Sequence, residues 1–322
     1  MRILSAALMG LTLTVAPLQS ATAEGWPERP VTMIVPFPAG AAVDLLARTV
    51  ATTLSEKFGK QFIVENRVGA GGTIGATAVA KANPDGYTLL FGTPAPIAIN
   101  KLMYKGLNYD SDKDFAPVIL VAKSPLIVAA RKDFPAKNFE ELIAYARNNP
   151  GKVNVGHPGN GTLGHITSEL VQQSADVKMT NVPFRGTAPL MTDLIGGQID
   201  IVMDFMPTYV PLVNDHKVRA LAVTTEKRAA ELPDVKTVQE SGIKGFEASA
   251  WYAMVAPVAT PKDIVAKLNK EVNAFLQSEK GKAYLAQNAL QGVGGSEDDL
   301  RAFIASELKK WKPVIETAKI AM

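Results

Sequence analysis

The fold of this chain is decided by residues 31–59, VTMIVPFPAGAAVDLLARTVATTLSEKFG. The first five residues are almost continuously apolar, which is typical of a strand buried on both faces. A loop of small residues follows, and a helix is then predicted by apolar residues at helical spacing before Gly59, namely Leu46, Val50, Leu54 and Phe58. Strand, loop and helix in this order predict α/β layers with a mainly parallel sheet.

The same alternation continues along the chain. Further strands are predicted at residues 62–64, 87–91, 118–121, 126–129, 153–155, 199–203, 218–223 and 251–255. The C-terminal third is predicted to be helical. Thr260, which precedes Pro261, is the predicted cap of one helix, and Ser296 with Asp299 is the predicted capping box of another.

Composition and charge exclude several classes of protein. The 322 residues suffice for one large or two ordinary domains, and 47% hydrophobic with 20% charged residues is an ordinary globular composition. The 34 basic and 31 acidic residues leave a net charge of +3 without a basic run, so no nucleic-acid partner is expected. The chain has no cysteine, which excludes disulfides, thiolate metal sites and cysteine nucleophiles.

The N-terminus has the layout of a secretory signal peptide. Arg2 precedes an apolar run over residues 3–15, and Ala21-Thr-Ala23 matches a small-residue cleavage site. We expect residues 1–23 to be removed, the mature chain to begin near Glu24, and the product to be a soluble protein of the periplasm. A buried first helix is the alternative.

Five loops at the predicted carboxyl ends of strands share small residues, Gly, Pro and hydroxyl side chains, and have almost no charge. They cover residues 36–44, 92–100, 157–165, 183–189 and 204–208. Ligands of open α/β sheets bind at this edge. Helix N-termini behind such loops supply unpaired N–H groups and the positive end of the helix dipole, so a site for a carboxylate or phosphate is predicted. Ordinary tight connections are the alternative for each loop.

The charged residues of these loops each have two interpretations. Asp44 either complements the dipole at a helix start or contacts the ligand. Asp204, at the end of a predicted strand, either contacts a ligand or water or caps a helix. Arg185 is either a cation of the site or a member of a surface ion pair.

Other motifs do not indicate a cofactor, a metal ion or a catalytic residue. Gly159-x-Gly161-x-x-Gly164 matches the dinucleotide fingerprint, but no acidic residue follows about 20 positions later, so a backbone cradle for a smaller anion is the better hypothesis. His157 and His165 lack the spacing of a zinc site, and no Gly-x-Ser-x-Gly elbow occurs. We therefore expect no metal, no cofactor and no catalytic residues.

Several motifs occur in order along the predicted mature chain. They are Pro36-Phe-x-x-Gly40…Asp44-x-x-Ala47-Arg48, Glu65-Asn-Arg-x-Gly69, Ala82-Asn-Pro-Asp-Gly-Tyr87, Asn100-x-x-x-Tyr104, Gly159-x-Gly161-Thr162…His165, Val182-Pro-Phe-Arg-Gly186, Gly196-Gly-Gln-x-Asp200 and Trp251-Tyr252. Together they resemble the Bug family of periplasmic solute receptors, the substrate-binding proteins of tripartite tricarboxylate transporters.

The resemblance implies a type II periplasmic binding protein, in which two α/β domains face a cleft and are joined by two crossover strands near Ala122 and Ser249. Domain 1 then comprises residues 24–122 plus 249–322, and domain 2 comprises residues 123–248. The ligand implied is a small organic carboxylate held by N–H groups, hydroxyls and bridging waters. The implied contacts are Phe37, Ala39, Gly40, Ala41, Thr93, Ala95, Gly159, Asn160, Gly161, Thr162, Arg185, Gly186 and Asp204.

One departure from the family concerns the first loop. The family usually has Gly-Gly where this chain has Gly40-Ala41. Because alanine disfavours positive φ, we expect the loop to be slightly reshaped at Ala41.

The expected function is an extracytoplasmic carboxylate-binding protein without catalysis, a monomer that delivers its ligand to the membrane subunits of a tripartite tricarboxylate transporter. Two alternatives stay open: a ligand-presenting subunit for a membrane sensor kinase, and a periplasmic enzyme acting on a small acid. The ligand stays open among di- and tricarboxylates, acidic amino acids and aromatic acids.

Overall fold

The computed structural model describes residues 25–322, and the predicted signal peptide at 1–23 lies outside the described residues. The strands in this range are β1 (Val31–Val35), β2 (Phe62–Asn66), β3 (Thr88–Gly92), β4 (Phe115–Arg131), β5 (Asn154–His157), β6 (Thr180–Pro183), β7 (Ile201–Phe205), β8 (Val218–Val223), β9 (Ser249–Pro257) and β10 (Gln291–Gly292). The helices are α1 (Ala42–Phe58), α2 (Thr73–Ala80), α3 (Asn100–Met103), α4 (Phe139–Asn148), α5 (Leu163–Ala175), α6 (Thr187–Ile195), α7 (Met206–Asn214), α8 (Lys262–Gln277), α9 (Glu279–Gln287) and α10 (Glu297–Thr317). Within residues 25–322, no helix combines the length and the apolar character needed to cross a membrane.

The stretch that decides the fold adopts the predicted structure. β1 is almost fully buried and lies between β2 and β3, to both of which it is parallel. α1 follows after a six-residue loop and packs against β1 and β2. It ends where predicted, because Gly59 adopts a left-handed conformation (φ 67°) and its N–H donates to the Ser55 carbonyl.

The strands form two sheets that share β4. The first sheet has the order β2-β1-β3-β9-β4, and the short β10 pairs with the other edge of β4. The second sheet contains β6, β5 and β7, with β7 and β8 both pairing with the C-terminal part of β4. In each sheet, consecutive parallel strands are connected by helices, which is the architecture that the alternating pattern predicts.

The long strand β4 is the main difference from the sequence-based expectation. Two strands were predicted, at 118–121 and 126–129, but the structure has one strand of 17 residues. Its first part pairs with β9 as far as Pro125 opposite Ser249, and pairing with β7 and β8 begins at Leu126 and Ile127. Polar residues and a proline interrupt the apolar pattern here, yet pairing with β9 keeps the backbone extended.

The C-terminal helices confirm one predicted cap and correct the other. Ser296 and Asp299 form the capping box at the start of α10, with side chain to backbone hydrogen bonds in both directions (3.1 and 2.7 Å). The predicted cap at Thr260 is wrong. Pro261 precedes the first residue of α8, and the buried Thr260 hydroxyl has no hydrogen-bond partner.

α10 carries a buried carboxylate next to the crossover strands. Glu307 is 2% exposed, and its Oε2 accepts hydrogen bonds from the indole N–H groups of Trp251 on β9 (3.0 Å) and Trp311 (3.1 Å). Its other oxygen pairs with Lys310, which also pairs with Glu247 just before β9. This network fixes α10 to the start of β9, and α10 also contacts α5 of the second sheet.

Candidate functional site

A cavity of about 820 Å³ lies between the two sheets. Four helical segments begin at its wall: α1 through residues 41–43, a π-helical turn over Ala95–Ile99, α5 through residues 160–163, and α7 through Phe205, Pro207 and Thr208. The first-turn N–H groups of a helix have no partner within the helix, and the dipole makes this end positive. The cavity is therefore suited to an anionic group.

The first loop is shaped by a buried carboxylate. Asp44 is 1% exposed, and its oxygens accept hydrogen bonds from the Gly40 N–H (2.8 Å), Arg48 Nε (3.0 Å) and Asn66 Nδ2 (2.8 Å). Burial opposes ionisation, but these hydrogen bonds outweigh it and hold the Asp44 pKa below its usual range. Asp44 thus stabilises the loop, and the Gly40 N–H is already engaged.

The departure from the family motif has no steric cost in this loop. Gly40 adopts φ +83°, where glycine is favoured, whereas Ala41 lies at φ −66° and ψ 154°, a usual conformation for the residue before a helix. The expected reshaping at Ala41 is therefore not required. Ala41 forms no side-chain cap, so the N–H groups of Ala42 and Val43 at the cavity wall have no partner from that side chain.

The third loop is held by hydrogen bonds within itself. The Thr162 hydroxyl donates to the Gly159 carbonyl (2.6 Å) and caps α5 by accepting from the His165 N–H (3.4 Å). The Gly161 N–H donates to His165 Nδ1 (3.1 Å). These contacts engage several groups predicted to bind the ligand, and they leave Asn160 and the first turn of α5 at the wall.

Two stacked histidines, His157 and His165, form hydrogen bonds with the backbone of this loop. The rings of His157 and His165 lie 4.4 Å apart and nearly parallel. His157 Nδ1 lies 2.9 Å from the Gly159 carbonyl, which can only accept, so the proton is on Nδ1 and the buried Nε2 lacks a partner. Burial, with the nearby His165, lowers the pKa of His157 to about 4, and burial lowers that of His165 as well. Both rings are neutral near pH 7.

Glycines in the first turns of α2 and α5 permit close packing. A methyl group on Gly164 would lie 2.2 Å from the Met203 carbonyl, and one on Gly75 would lie 2.8 Å from Pro36 Cβ. The third glycine of the fingerprint-like motif therefore brings α5 against β7. Over residues 25–322, no cluster of three or more His, Asp or Glu side chains is placed to hold a metal ion.

Eight of the thirteen residues implied by the resemblance line the cavity. They are Phe37, Gly40, Ala41, Thr93, Ala95, Asn160, Gly161 and Thr162. They lie in loops that follow β1, β3 and β5, and the fold places these loops of both sheets at the same cavity.

The other five lie outside the wall. Asp204 is turned into the core at 1% exposed, where it accepts hydrogen bonds from the Phe205 N–H (2.8 Å) and the Tyr209 hydroxyl (3.1 Å), and burial raises its pKa. Arg185 and Ala39 are exposed. The Gly186 N–H donates to the Pro158 carbonyl, and the Gly159 carbonyl accepts three hydrogen bonds within the loop, from His157 Nδ1 and from the hydroxyl and N–H of Thr162.

The wall also contains residues that the sequence did not indicate as site residues. The main ones are Leu45, Met103, Tyr284, Glu231 and Met322. Except for Glu231, which lies in the connection between β8 and β9, they come from helices or from the C-terminus. In those segments the sequence pattern does not distinguish a residue of the cavity wall from a residue of the core. Besides the eight residues named above, Asn100, Tyr104 and Tyr252 line the wall and belong to motifs quoted in the sequence analysis.

Comparison with known proteins identifies the family. The profile of the tripartite tricarboxylate transporter family receptor, TctC, matches residues 46–320. The chain belongs to this family. Protein BugT of Bordetella pertussis is 34% identical to the chain over 312 residues, which cover 96% of this TctC-family chain and 95% of BugT.

Solved structures of TctC-like receptors share the fold. The structure of R. palustris Rpa4515 with adipate is 40% identical, with a TM-score of 0.80 over 92% of this chain and 99% of that one. Periplasmic binding protein BugD is 36% identical, with a TM-score of 0.76 over 92% and 99%. The resemblance to the Bug receptors is confirmed, and the fold is that of a type II periplasmic binding protein with two α/β domains around a cleft. The family and these relatives are solute-binding receptors.

Proposed function

We propose that this protein is an extracytoplasmic receptor that captures a small organic carboxylate in the cavity between its sheets and delivers it to a tripartite tricarboxylate-type membrane transporter. The observation that carries the proposal is the convergence of four helix N-termini on one cavity. Charge-assisted hydrogen bonds from such N–H groups bind an anion without cationic side chains. The family assignment and the adipate in the related structure support the same ligand chemistry.

The proposed contacts are the eight residues implied by the resemblance that line the wall, together with the first-turn N–H groups of Ala42 and Val43. The proposal leaves out Ala39, Gly159, Arg185, Gly186 and Asp204. It includes no catalytic step, and it assigns the mature protein to the periplasm.

Ligand capture is proposed to close the two domains, residues 24–122 plus 249–322 and residues 123–248, around hinges near Ala122 and Ser249. Support comes from the wall itself, which contains Ala42 and Val43 from the first of these residue sets and Asn160 and Thr162 from the second. Closure excludes water and strengthens each polar contact. Small-angle scattering is expected to give a smaller radius of gyration at ligand saturation, and an unchanged radius contradicts closure.

The binding proposal is tested with pairs of acids and their primary amides, such as adipate with adipamide and benzoate with benzamide. Calorimetric titration of residues 24–322 is expected to show binding of at least one acid and none of its amide, because the amide lacks the charge. Equal binding of acid and amide, or no binding of any acid, overturns the proposal. For delivery, uptake of the bound acid is measured in the native host with and without this gene.

A further inference from the structure

The loop between β5 and α5 contains two glycines in backbone conformations that other residues rarely adopt. Gly159 lies at φ +147° and Gly161 at φ +71°. Because glycine has many backbone conformations of similar energy, contacts from neighbouring groups must select one orientation for each peptide group of this loop. Asn160, between the two glycines, lines the cavity. The orientation of these peptide groups therefore decides which backbone atoms a bound anion meets.

His157 orients the peptide group between Gly159 and Asn160. The His157 ring is fully buried, and its Nδ1–H donates to the Gly159 carbonyl (2.9 Å). In a planar trans peptide the N–H points opposite to the carbonyl, so the Asn160 N–H points away from His157. This N–H donates to no group within residues 25–322. One acceptor is thus turned toward a buried ring, and one free donor is turned the other way.

His165 holds the next peptide group of the loop. Its Nδ1 accepts the Gly161 N–H (3.1 Å), so the proton of this neutral ring is on Nε2, whereas that of His157 is on Nδ1. The two rings are stacked 4.4 Å apart, and neither lines the cavity. Together, two rings in opposite tautomers donate to one loop carbonyl and accept from one loop N–H.

From these observations, and resting on the proposed function, we propose that His157 and His165 are positioning residues for anion binding. Neither ring contacts the ligand. His157 turns away the Gly159 carbonyl, which would repel a carboxylate, and so presents the Asn160 N–H to it. His165 fixes the following peptide group and keeps this orientation from reversing. A donor that is already oriented strengthens binding, because the ligand does not have to order it.

Asparagine and phenylalanine separate these hydrogen bonds from the packing of the rings. Asparagine can place its amide group where Nδ1 lies, as a donor at His157 and as an acceptor at His165, but it has no ring. Phenylalanine keeps a ring for the stack and has no polar side-chain atom. If packing alone mattered, phenylalanine would preserve ligand binding better than asparagine. The proposed positioning role predicts the opposite order.

Calorimetry of the four variants uses adipate or benzoate, whichever binds the parent more tightly. His157→Asn and His165→Asn are expected to bind within about threefold of the parent, and His157→Phe and His165→Phe at least about tenfold more weakly. Thermal unfolding shows which variants are folded. Folded phenylalanine variants that bind as tightly as the parent, or more tightly than the asparagine variants, overturn the positioning role and leave the proposed function standing. A parent that binds neither acid overturns both.

Nitrogen-15 NMR of the histidine rings tests the tautomers in the parent protein itself. At pH 7, His157 is expected to be protonated on Nδ1 only and His165 on Nε2 only, and both states are expected to persist when the acid saturates the protein. The same tautomer in both rings, a charged ring, or a tautomer that changes on ligand binding overturns the positioning role. This result does not depend on whether any variant folds.

Discussion

The substitution Ala41→Asp tests whether the N-terminus of α1 binds the carboxylate of the ligand. Ala41 lines the cavity, precedes α1 in the geometry of an N-cap, and makes no side-chain cap. An introduced carboxylate accepts hydrogen bonds from the first-turn N–H groups and puts a negative charge where we propose that the ligand binds. Ala41→Asn is the matched control, because its amide has nearly the same shape and can also cap the helix but carries no charge.

The magnitude follows from the charges involved. Two unit charges about 5 Å apart repel by about 3 kcal/mol at an effective dielectric constant of about 20. We therefore expect Ala41→Asp to bind the acid about 100-fold more weakly than Ala41→Asn does. Folding stability is expected to change little, because a new cap contributes about 1 kcal/mol and Asp44 in the same first turn opposes a second negative charge.

Calorimetric titration of both variants with the tightest-binding acid measures this difference, and thermal unfolding checks that both are folded. If the two folded variants bind the acid equally well, the N-terminus of α1 is not where the carboxylate binds. A loss of affinity in both variants by the same factor indicates a steric effect, which also contradicts the electrostatic reasoning.

Three further predictions concern residues of the third loop and of α10. Because the pKa of buried His157 is about 4 and that of an unfolded histidine is about 6.5, the unfolded chain takes up the proton first, and the free energy of unfolding is expected to fall by about 3 kcal/mol between pH 6.5 and 4. Urea unfolding at both pH values measures this, and a His157→Phe variant with the same pH dependence refutes it. Glu307→Ala leaves two buried indole N–H groups without an acceptor and is expected to cost about 3–5 kcal/mol of stability, whereas Glu307→Gln costs less because its amide oxygen still accepts. Equal urea midpoints for the two Glu307 variants contradict this account. Thr162→Ala removes the cap of α5 and is expected to lower stability by about 1 kcal/mol and to weaken acid binding, while Thr162→Ser keeps both. Unchanged affinity in Thr162→Ala, measured by calorimetry, places the third loop outside the site.

Local sequence patterns were sufficient to predict much of the secondary structure of this protein. The strand and helix of residues 31–59 were predicted because their apolar spacing repeats within a few residues, and the capping box at Ser296 and Asp299 spans a single turn. The cap at Thr260 failed because Pro261 itself takes the position before the helix. The loop composition at strand ends likewise predicted where helix N-termini meet a cavity, since topology puts those ends at one edge.

The roles of individual loop residues depended on contacts that no local pattern encodes. Asp204 and Asp44 are both acidic residues at loop ends. The Asp204 carboxylate accepts a hydrogen bond from the Tyr209 hydroxyl, whereas the Asp44 carboxylate accepts one from the Gly40 N–H. The continuity of β4 came from pairing with β9, more than 100 residues away.

The sequence by itself determined the fold class and the family, because these follow from spacing and from quoted motifs, and its loop composition led to the proposal that the loops bind an anion. Only the tertiary structure decided which groups remain available to a ligand. Hydrogen bonds within the first and third loops already engage the N–H groups of Gly40 and Gly161. The apolar part of the wall is assembled from Leu45, Met103 and Met322, and side chains so distant in sequence meet only when the packed sheets bring their helices and the C-terminus to one cavity.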